Sequence, residues 1–396
     1  MRAPWLNVVG IGEDGFAALA PVARTVVETA EHLIGGERHL AMVPVFGAER
    51  IVWPSPLGCV RPRLGTLEGR RVVVLATGDP MDHGIGVLLH RWFEPSAIAV
   101  HPAPSAFALA CARMGWARTR VTTLSLHGRP AELLIPHIAP CARLLVLADG
   151  AGTPAVVAQI LAERGCGASK LTVLAHIGGP REQRFVWHGA ADVPDFHTLA
   201  VEIEAGPGFV LHPRMPGLPD AAFVHDGNIT KREVRALTLA GLAPVPGGLL
   251  WDVGCGCGSI AVEWLRAADR TRAVGIEPRA DRRAMAAANA SALGTPDLAL
   301  IDGRAPEALD GLDPPDAVFI GGGLSHAVVD RCMAVLRPFG RIVANAVTLG
   351  SEAVLLEAHA RHGGELVRLA VARAEAVGDL TGWRPAMPVT QWRWTR

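Results

Sequence analysis

Three glycines stand at alternate positions in the run Asp252-Val253-Gly254-Cys255-Gly256-Cys257-Gly258, where an apolar strand pattern gives way to a helical one. At such a turn the backbone can approach a ligand that any Cβ would hold off, and unpaired N–H groups at the helix start face it. Nineteen residues past Gly258, at the end of the next strand pattern, stands Glu277, placed to accept both hydroxyls of a ribose. The pair asks for an adenosine-containing ligand. A dinucleotide fingerprint would carry its third glycine one residue later, with Gly or Ala at Ser259, so the spacing leans away from NAD. Cys255 and Cys257 could hold a metal or shuttle electrons, but no second ligand pair lies near. They read as small loop residues, and no metal site is expected.

Around this loop, strand patterns at Leu249–Val253, Ala273–Glu277, Leu298–Asp302, Ala317–Gly321 and Arg341–Ala346 alternate with helical patterns at Ile260–Ala267, Ala280–Ala292 and His326–Leu336. That alternation predicts a doubly wound parallel sheet. Upstream, short β-branched runs at Leu6–Gly10, Arg71–Thr77, Ile98–His101, Val121–Leu126, Leu144–Leu147, Leu171–Ala175 and Leu199–Ile203 read as strands. Helices are expected between them at Phe16–Glu31, Ile85–Phe93, Ala106–Met114 and Pro154–Arg164. Half of positions 206–219 are glycine or proline, the mark of a linker between an α/β domain at 1–205 and another at 220–396.

Composition narrows the function. The 38 basic and 38 acidic residues cancel, leaving no field to draw in nucleic acid or an anionic membrane. No run approaches the roughly 18 apolar residues a membrane span needs, and Asp14 interrupts the N-terminus before a signal-like core develops, so a cytoplasmic protein is expected. Seven scattered cysteines suit a reducing compartment. All basic residues but Lys170 and Lys231 are arginine, either a compositional bias or a set of forks for a carboxylate-rich substrate.

The glycine loop resembles the first motif of class I methyltransferases that use S-adenosylmethionine. With His225-Asp226-Gly227-Asn228-Ile229-Thr230-Lys231-Arg232-Glu233-Val234-Arg235, Ala305-Pro306-Glu307-Ala308-Leu309 and Gly321-Gly322-Gly323, it looks like the decarboxylating precorrin methyltransferases that act on C-15 in cobalamin biosynthesis. The first half is similar to tetrapyrrole methylases of the precorrin type, on Val9-Gly10-Ile11-Gly12-Glu13-Asp14-Gly15, Gly35-Gly36-Glu37-Arg38-His39-Leu40, Leu75-Ala76-Thr77-Gly78-Asp79-Pro80-Met81, Pro102-Ala103-Pro104-Ser105-Ala106-Phe107 and Leu124-Ser125-Leu126-His127-Gly128-Arg129. The resemblance implies a two-lobed tetrapyrrole methylase domain followed by a Rossmann-like class I methyltransferase domain, with one S-adenosylmethionine site in each. In the first, the cofactor would lie between two lobes at Thr77, Gly78, Asp79, Asp82, Ser105 and Ala106. In the second it would meet Thr230, the loop Gly254, Cys255, Gly256, Cys257 and Gly258, then Glu277 and Ala305, with Asp252 toward its methionine end. General tetrapyrrole methylases carry Gly-x-Gly-Pro-Gly-Asp where this chain ends in Glu13-Asp14-Gly15. Arg304 occupies the place of a frequent adenine-binding acid, which leaves Asp302 as the alternative.

The implied chemistry is methylation of precorrin-6B at C-5 and C-15, with loss of CO2 from the C-12 acetate. Displacement at an activated methyl mainly requires an electron-rich ring carbon held about 3 to 3.5 Å away and in line. The conjugated ring can itself take up the electron pair left by CO2, so no further electron sink is required. His83, His127, His225, Asp226 and His326 lie in or beside the motifs and are candidates for moving protons. Two other readings compete: an NAD-dependent oxidoreductase built on the second domain, and a non-catalytic tetrapyrrole carrier. A homo-oligomer is also expected.

Overall fold

The computed structural model describes residues 4–54, 56–189 and 192–396. By contact the chain forms two units, Met1–Ala131 with Pro140–Phe209, and Glu132–Ala139 with Val210–Arg396.

In the first unit, β1 (Leu6–Ile11), α1 (Pro21–Glu28), β2 (His32–Gly35), α2 (Glu37–Ala41), β3 (Glu49–Val52), α3 (Val60–Thr66), β4 (Val72–Thr77), α4 (Ile85–Trp92) and β5 (Ile98–His101) build one lobe. Its five strands run parallel in the order β3-β2-β4-β1-β5. The unbroken apolar run of β4 follows from burial on both faces: Val72, Val74 and Ala76 enter one core cluster and Val73 and Leu75 the other. The helix expected over Phe16–Glu31 is broken, because Pro21 cannot sit in a helix interior. A short 3-10 turn covers Phe16–Ala18, and α1 restarts with Pro21 in its first turn.

The other lobe holds α5 (Ala106–Met114), β6 (Thr122–Ser125), β7 (Arg143–Leu147), α6 (Thr153–Glu163), β8 (Lys170–Ala175), β9 (Gln183–Val186) and β10 (His197–Glu202). Its sheet, β6-β7-β10-β8-β9, is mixed, with only β6 and β7 parallel.

The second unit runs α7 (Arg232–Leu242), β11 (Leu249–Val253), α8 (Ser259–Ala267), β12 (Arg272–Ile276), α9 (Ala280–Ala292), β13 (Ala299–Ile301), β14 (Ala317–Ile320), α10 (His326–Val335), β15 (Arg341–Ala346), α11 (Leu349–His362), β16 (Glu365–Leu369), β17 (Ala372–Val377), β18 (Leu380–Pro385) and β19 (Val389–Thr395). Strands β13-β12-β11-β14-β15 are parallel. The sheet is not parallel throughout, as expected from the alternation, but ends β15-β19-β16 with β19 antiparallel to both neighbours. The reason is the connection. The β17–β18 hairpin stands apart from the sheet and sends the chain back into the gap that β16 leaves beside β15.

The glycine- and proline-rich stretch is not featureless. Glu263 on α8, itself buried, accepts the backbone N–H groups of Gly217 (2.6 Å) and Leu218 (2.9 Å) and the Nε–H of Arg235 (2.7 Å). Arg235, fully buried on α7, donates to the carbonyls of Thr230 (2.5 Å) and Leu218 and to Asp220 (3.1 Å), over the ring of Phe223. Glu263→Gln would leave the buried guanidinium with only the partly exposed Asp220 carboxylate as counter-charge and should destabilise the second unit by about 3 kcal/mol. Urea unfolding followed through the tryptophans of that unit tests this, and a shift of under about 1 kcal/mol would refute it.

Candidate functional site

A cavity of about 1020 Å³ opens at the C-terminal edge of the parallel strands of the second unit, the end where ligands bind in open α/β sheets. Its floor is made by close approach of two turns. Gly254, after β11, has φ +69°, and a Cβ there would lie 2.6 Å from the backbone of Gly322, after β14. Only glycine serves at Gly254. Of the expected cofactor residues, Thr230, Gly254, Cys255, Gly256, Cys257, Glu277 and Ala305 line the cavity.

Three others do not. Gly258 (φ +76°) faces helix α9 instead, where a Cβ would meet that of Ala286 at 2.9 Å; its glycine serves helix packing. Asp302 is turned outward in a two-pronged ion pair with Arg283 (both contacts 2.8 Å), with 70% of its side chain exposed, so its carboxylate is committed elsewhere. Asp252 lies beneath the loop. Its Oδ2 accepts the Ala261 N–H (3.0 Å), and its Oδ1 is buried with no partner among the described residues.

Glu277 is buried and held from both sides, Oε2 by the Gly256 N–H (3.0 Å) and Oε1 by the Arg279 N–H (3.1 Å). Each oxygen keeps a lone pair for a ligand hydroxyl. Burial, reinforced by the charges of Asp252 and Glu277, drives the Cys255 thiol far above its ordinary range, and burial raises Cys257 too. Both cysteines therefore stay protonated and act as packing residues.

None of the three proton-transfer candidates in this unit lines the cavity. His225 accepts the Gly227 N–H at Nδ1 (3.0 Å). Asp226 accepts the Asn228 N–H (3.0 Å) and pairs with Arg282 (2.8 Å), which together lower its carboxyl to about 2. His326 sits between Glu357 (3.3 Å) and Arg361 (3.1 Å). The cavity instead gains residues that motif reading missed: Phe319 and Asn345 at the ends of β14 and β15, and Arg373, Glu375 and Arg384 from the β17–β18 hairpin. The last three reach the cavity only through the hairpin. Of the cations on its wall, Arg279, Arg282, Arg373 and Arg384 are paired with Asp281, Asp226, Glu233 and Glu375. Lys231 and Arg304 have no carboxylate partner among the described residues.

In the first unit the turns after β1, β4 and β5 are pressed together. A Cβ on Gly10 would lie 1.9 Å from the Gly78 carbonyl, and one on Gly78 (φ +58°) would lie 2.9 Å from the Pro104 carbonyl. Thr77, Gly78, Ser105 and Ala106 are thereby gathered at one edge. Asp79 accepts the Met81 N–H (2.8 Å) and, through its carbonyl, the Asp82 N–H (3.1 Å), while Ser105 caps α5 through the Ala108 N–H (3.2 Å). His83 packs edge-on against Phe107, and His127 is 80% exposed, 3.7 Å from Asp149.

Glu13, the departure from the usual motif, is a buried hub. It pairs with Arg38 and with His176 (3.1 Å) and Arg181 (3.6 Å) of the other lobe. Arg38 and His39 in turn hold the Thr77 hydroxyl (2.9 and 2.8 Å).

Burial is the main cause that raises Asp252 from 3.8 to about 7; the Ala261 N–H opposes it and the charge of Glu277 adds to it. The folded protein therefore binds this proton more tightly than the unfolded chain does. Stability from this group falls as pH rises between about 4 and about 7, and is level above that. Asp252→Asn cannot titrate, so its stability relative to the parent should rise across that interval. Urea midpoints measured at both ends check this, and a parallel offset would contradict it.

Similarity to known proteins identifies the family. The family profile of tetrapyrrole (corrin/porphyrin) methylases matches residues 6–191, and that of the precorrin methyltransferase domain matches residues 221–396. A precorrin-6Y C(5,15)-methyltransferase [decarboxylating] from Sinorhizobium sp is 46% identical over 100% of this chain and 97% of its own length. A cobalt-precorrin-7 C(5)-methyltransferase from Salmonella typhimurium is 31% identical, covering 50% of this chain and 98% of its own. A Pyrobaculum calidifontis protein named "Probable cobalt-precorrin-6B C(15)-methyltransferase (decarboxylating)" is 34% identical over 44% of this chain and 93% of its own. With two methyltransferase profiles in tandem and full-length similarity to such a fusion, the chain belongs to the family of decarboxylating precorrin-6Y C(5,15)-methyltransferases.

Proposed function

We propose that this protein methylates precorrin-6B at C-5 and C-15 and removes CO2 from the C-12 acetate, as a cytoplasmic enzyme of cobalamin biosynthesis with one S-adenosylmethionine site in each unit. The C-5 methylation belongs to the tetrapyrrole methylase domain at 1–205. The C-15 methylation and the decarboxylation belong to the domain at 220–396, beyond the joining segment 206–219. Relatives half as long, named for one methylation each, support that division.

The observation that carries the reading is the cavity of the second unit. The Gly254 turn leaves bare backbone where a Cβ would clash, Glu277 offers lone pairs at the end of β12, and Asp252 keeps an unpartnered oxygen beneath them. These fit, in turn, the close approach of a cofactor, its ribose and its ammonium group. The bound cofactor supplies an activated methyl group. The chain's part is to bind and orient. Lys231 and Arg304 offer positive charge that no carboxylate of the chain offsets, suited to a ring edged with acetates and propionates. Apolar side chains such as Ile229, Phe319, Val347 and Leu369 also line the cavity and suit the face of such a ring.

Mass spectrometry of products from the intact chain tests the division. The parent should add two methyl groups and lose one CO2. Glu277→Ala should lower the C-15 methylation and the CO2 loss together, by about tenfold or more, and Asp79→Ala should lower only the other methylation. If the parent leaves precorrin-6B unchanged while binding NADH, the oxidoreductase reading replaces this one. If the parent binds the tetrapyrrole without altering it, the carrier reading does.

A further inference from the structure

Asn345, at the end of β15, stands on the same row of the sheet edge as Gly254 after β11 and Gly321 after β14. It lines the cavity, but two strands away from the glycine loop, a distance of about 10 Å at the usual strand spacing. That puts it on the side of the cavity away from the residues assigned to the cofactor.

The orientation of its amide is determined by a chain of hydrogen bonds that starts at a group able only to donate. Arg393, anchored by Glu365 (3.0 Å), donates its Nε–H to Oε1 of Gln391 (2.7 Å). Gln391 is fully buried and must then present Nε2 on its other side, which donates to Oδ1 of Asn345 (2.8 Å) and to the hydroxyl of Thr238 on α7 (3.0 Å). With Oδ1 so engaged, Nδ2 of Asn345 donates one hydrogen to Thr238 (3.0 Å). Its second hydrogen has no acceptor among the described residues. Gln391 and Thr238 are both closed to solvent, so the network cannot turn over by exchanging partners with water.

We infer that Asn345 is a substrate-positioning residue that presents a fixed N–H donor to a peripheral carboxylate of the tetrapyrrole. This rests on the reading of the second unit as a precorrin methyltransferase. The donor sits beside Val347, Leu369 and Val389, an apolar wall against which a single directed hydrogen bond counts for more than it would in water. Carboxylates rim the ring of such a substrate, and they only accept.

The test is steady-state kinetics of C-15 methylation by the intact chain, with cofactor affinity measured separately by calorimetry. Asn345→Ala should raise KM for the tetrapyrrole about tenfold to a hundredfold with kcat little changed. Asn345→Asp, the same in shape but repelling a carboxylate, should raise it further. Gln391→Glu reads the network itself. A carboxylate can only accept from Asn345, so the amide turns over and shows its oxygen to the cavity, and KM should rise as in Asn345→Asp although Asn345 is intact. Cofactor affinity should stay at the parental value in all three, which also shows that the unit is folded. An unchanged KM in Asn345→Ala or Asn345→Asp, or an equal loss of cofactor affinity, would overturn the inference while parental turnover keeps the methyltransferase reading standing. A parent inert toward precorrin-6B would remove both.

Discussion

The second unit is organised around one buried ion pair, Arg235 with Glu263. Two charges have been taken out of water, at a cost of several kcal/mol each, and their mutual attraction offsets this only because most of the other lone pairs and protons are also engaged. Glu263 accepts from Gly217, Leu218 and Arg235, and Arg235 gives three further hydrogens to Thr230, Leu218 and Asp220. One pair thus joins the incoming strap, helix α8 behind the glycine loop, and helix α7 in front of it. Thr230 lies on the cavity wall because Arg235 holds its carbonyl, and Asp220 in turn accepts from Arg373 of the hairpin on the far side (3.4 Å). A pair of aliphatic side chains could fill the same space. It could not fix the height and direction of three separate backbone segments.

The two units bring stretches of bare backbone together by different constructions. In the second, a positive-φ glycine turn after β11 is backed onto the glycine turn after β14, and the acid that follows β12 closes one side. In the first, the Gly10 and Gly78 turns are pushed together so tightly that no side chain fits at either, and ion pairs replace the closing acid. Glu13 gathers Arg38 from one lobe and His176 and Arg181 from the other. His39 lies in that nest as a neutral ring; burial, with the charge of Arg38 adding to it and that of Glu13 opposing, holds it down at about 4. Because Arg38 Nη2, which can only donate, also faces its Nε2 (3.0 Å), that nitrogen is the acceptor and takes the hydrogen of the Thr77 hydroxyl without adding charge to this edge. The acid at Glu13 is what lets Arg38 and Arg181 face one another across the cleft between the lobes.

What the sequence discloses follows from the kind of constraint each residue obeys. The glycine loop, Glu277 and the parallel strands were legible because they depend on local rules, periodicity and the φ values only glycine adopts freely. Pro21 broke an expected helix by an equally local rule that the apolar pattern of Phe16–Glu31 concealed. The third glycine looks by spacing like the other two, yet a Cβ there would meet Ala286, a distinction that needs the position of helix α9. Asp302 is an adenine partner by position in the sequence, yet Arg283, nineteen residues before it, donates to both its oxygens. Asn345 was invisible for the strongest reason. Its importance lies in Gln391 and Arg393, which reach it only because β19 enters the sheet antiparallel between β15 and β16.

That antiparallel insertion also decides what kind of cavity the unit can have. By leaving room for β19, the chain can send β17 and β18 out as a free hairpin whose residues Ala372–Val377 are exposed along their whole length. Arg373, Glu375 and Arg384 then stand across the cavity from the glycine loop, on an element tied to the body through ion pairs of Arg373 with Asp220 and Glu233. Such exposed pairs are each worth at most about 1 kcal/mol. The floor is therefore fixed by close backbone contacts, whereas the hairpin wall is held to the body chiefly by exposed ion pairs, so the wall is the part of the cavity that moves at least cost.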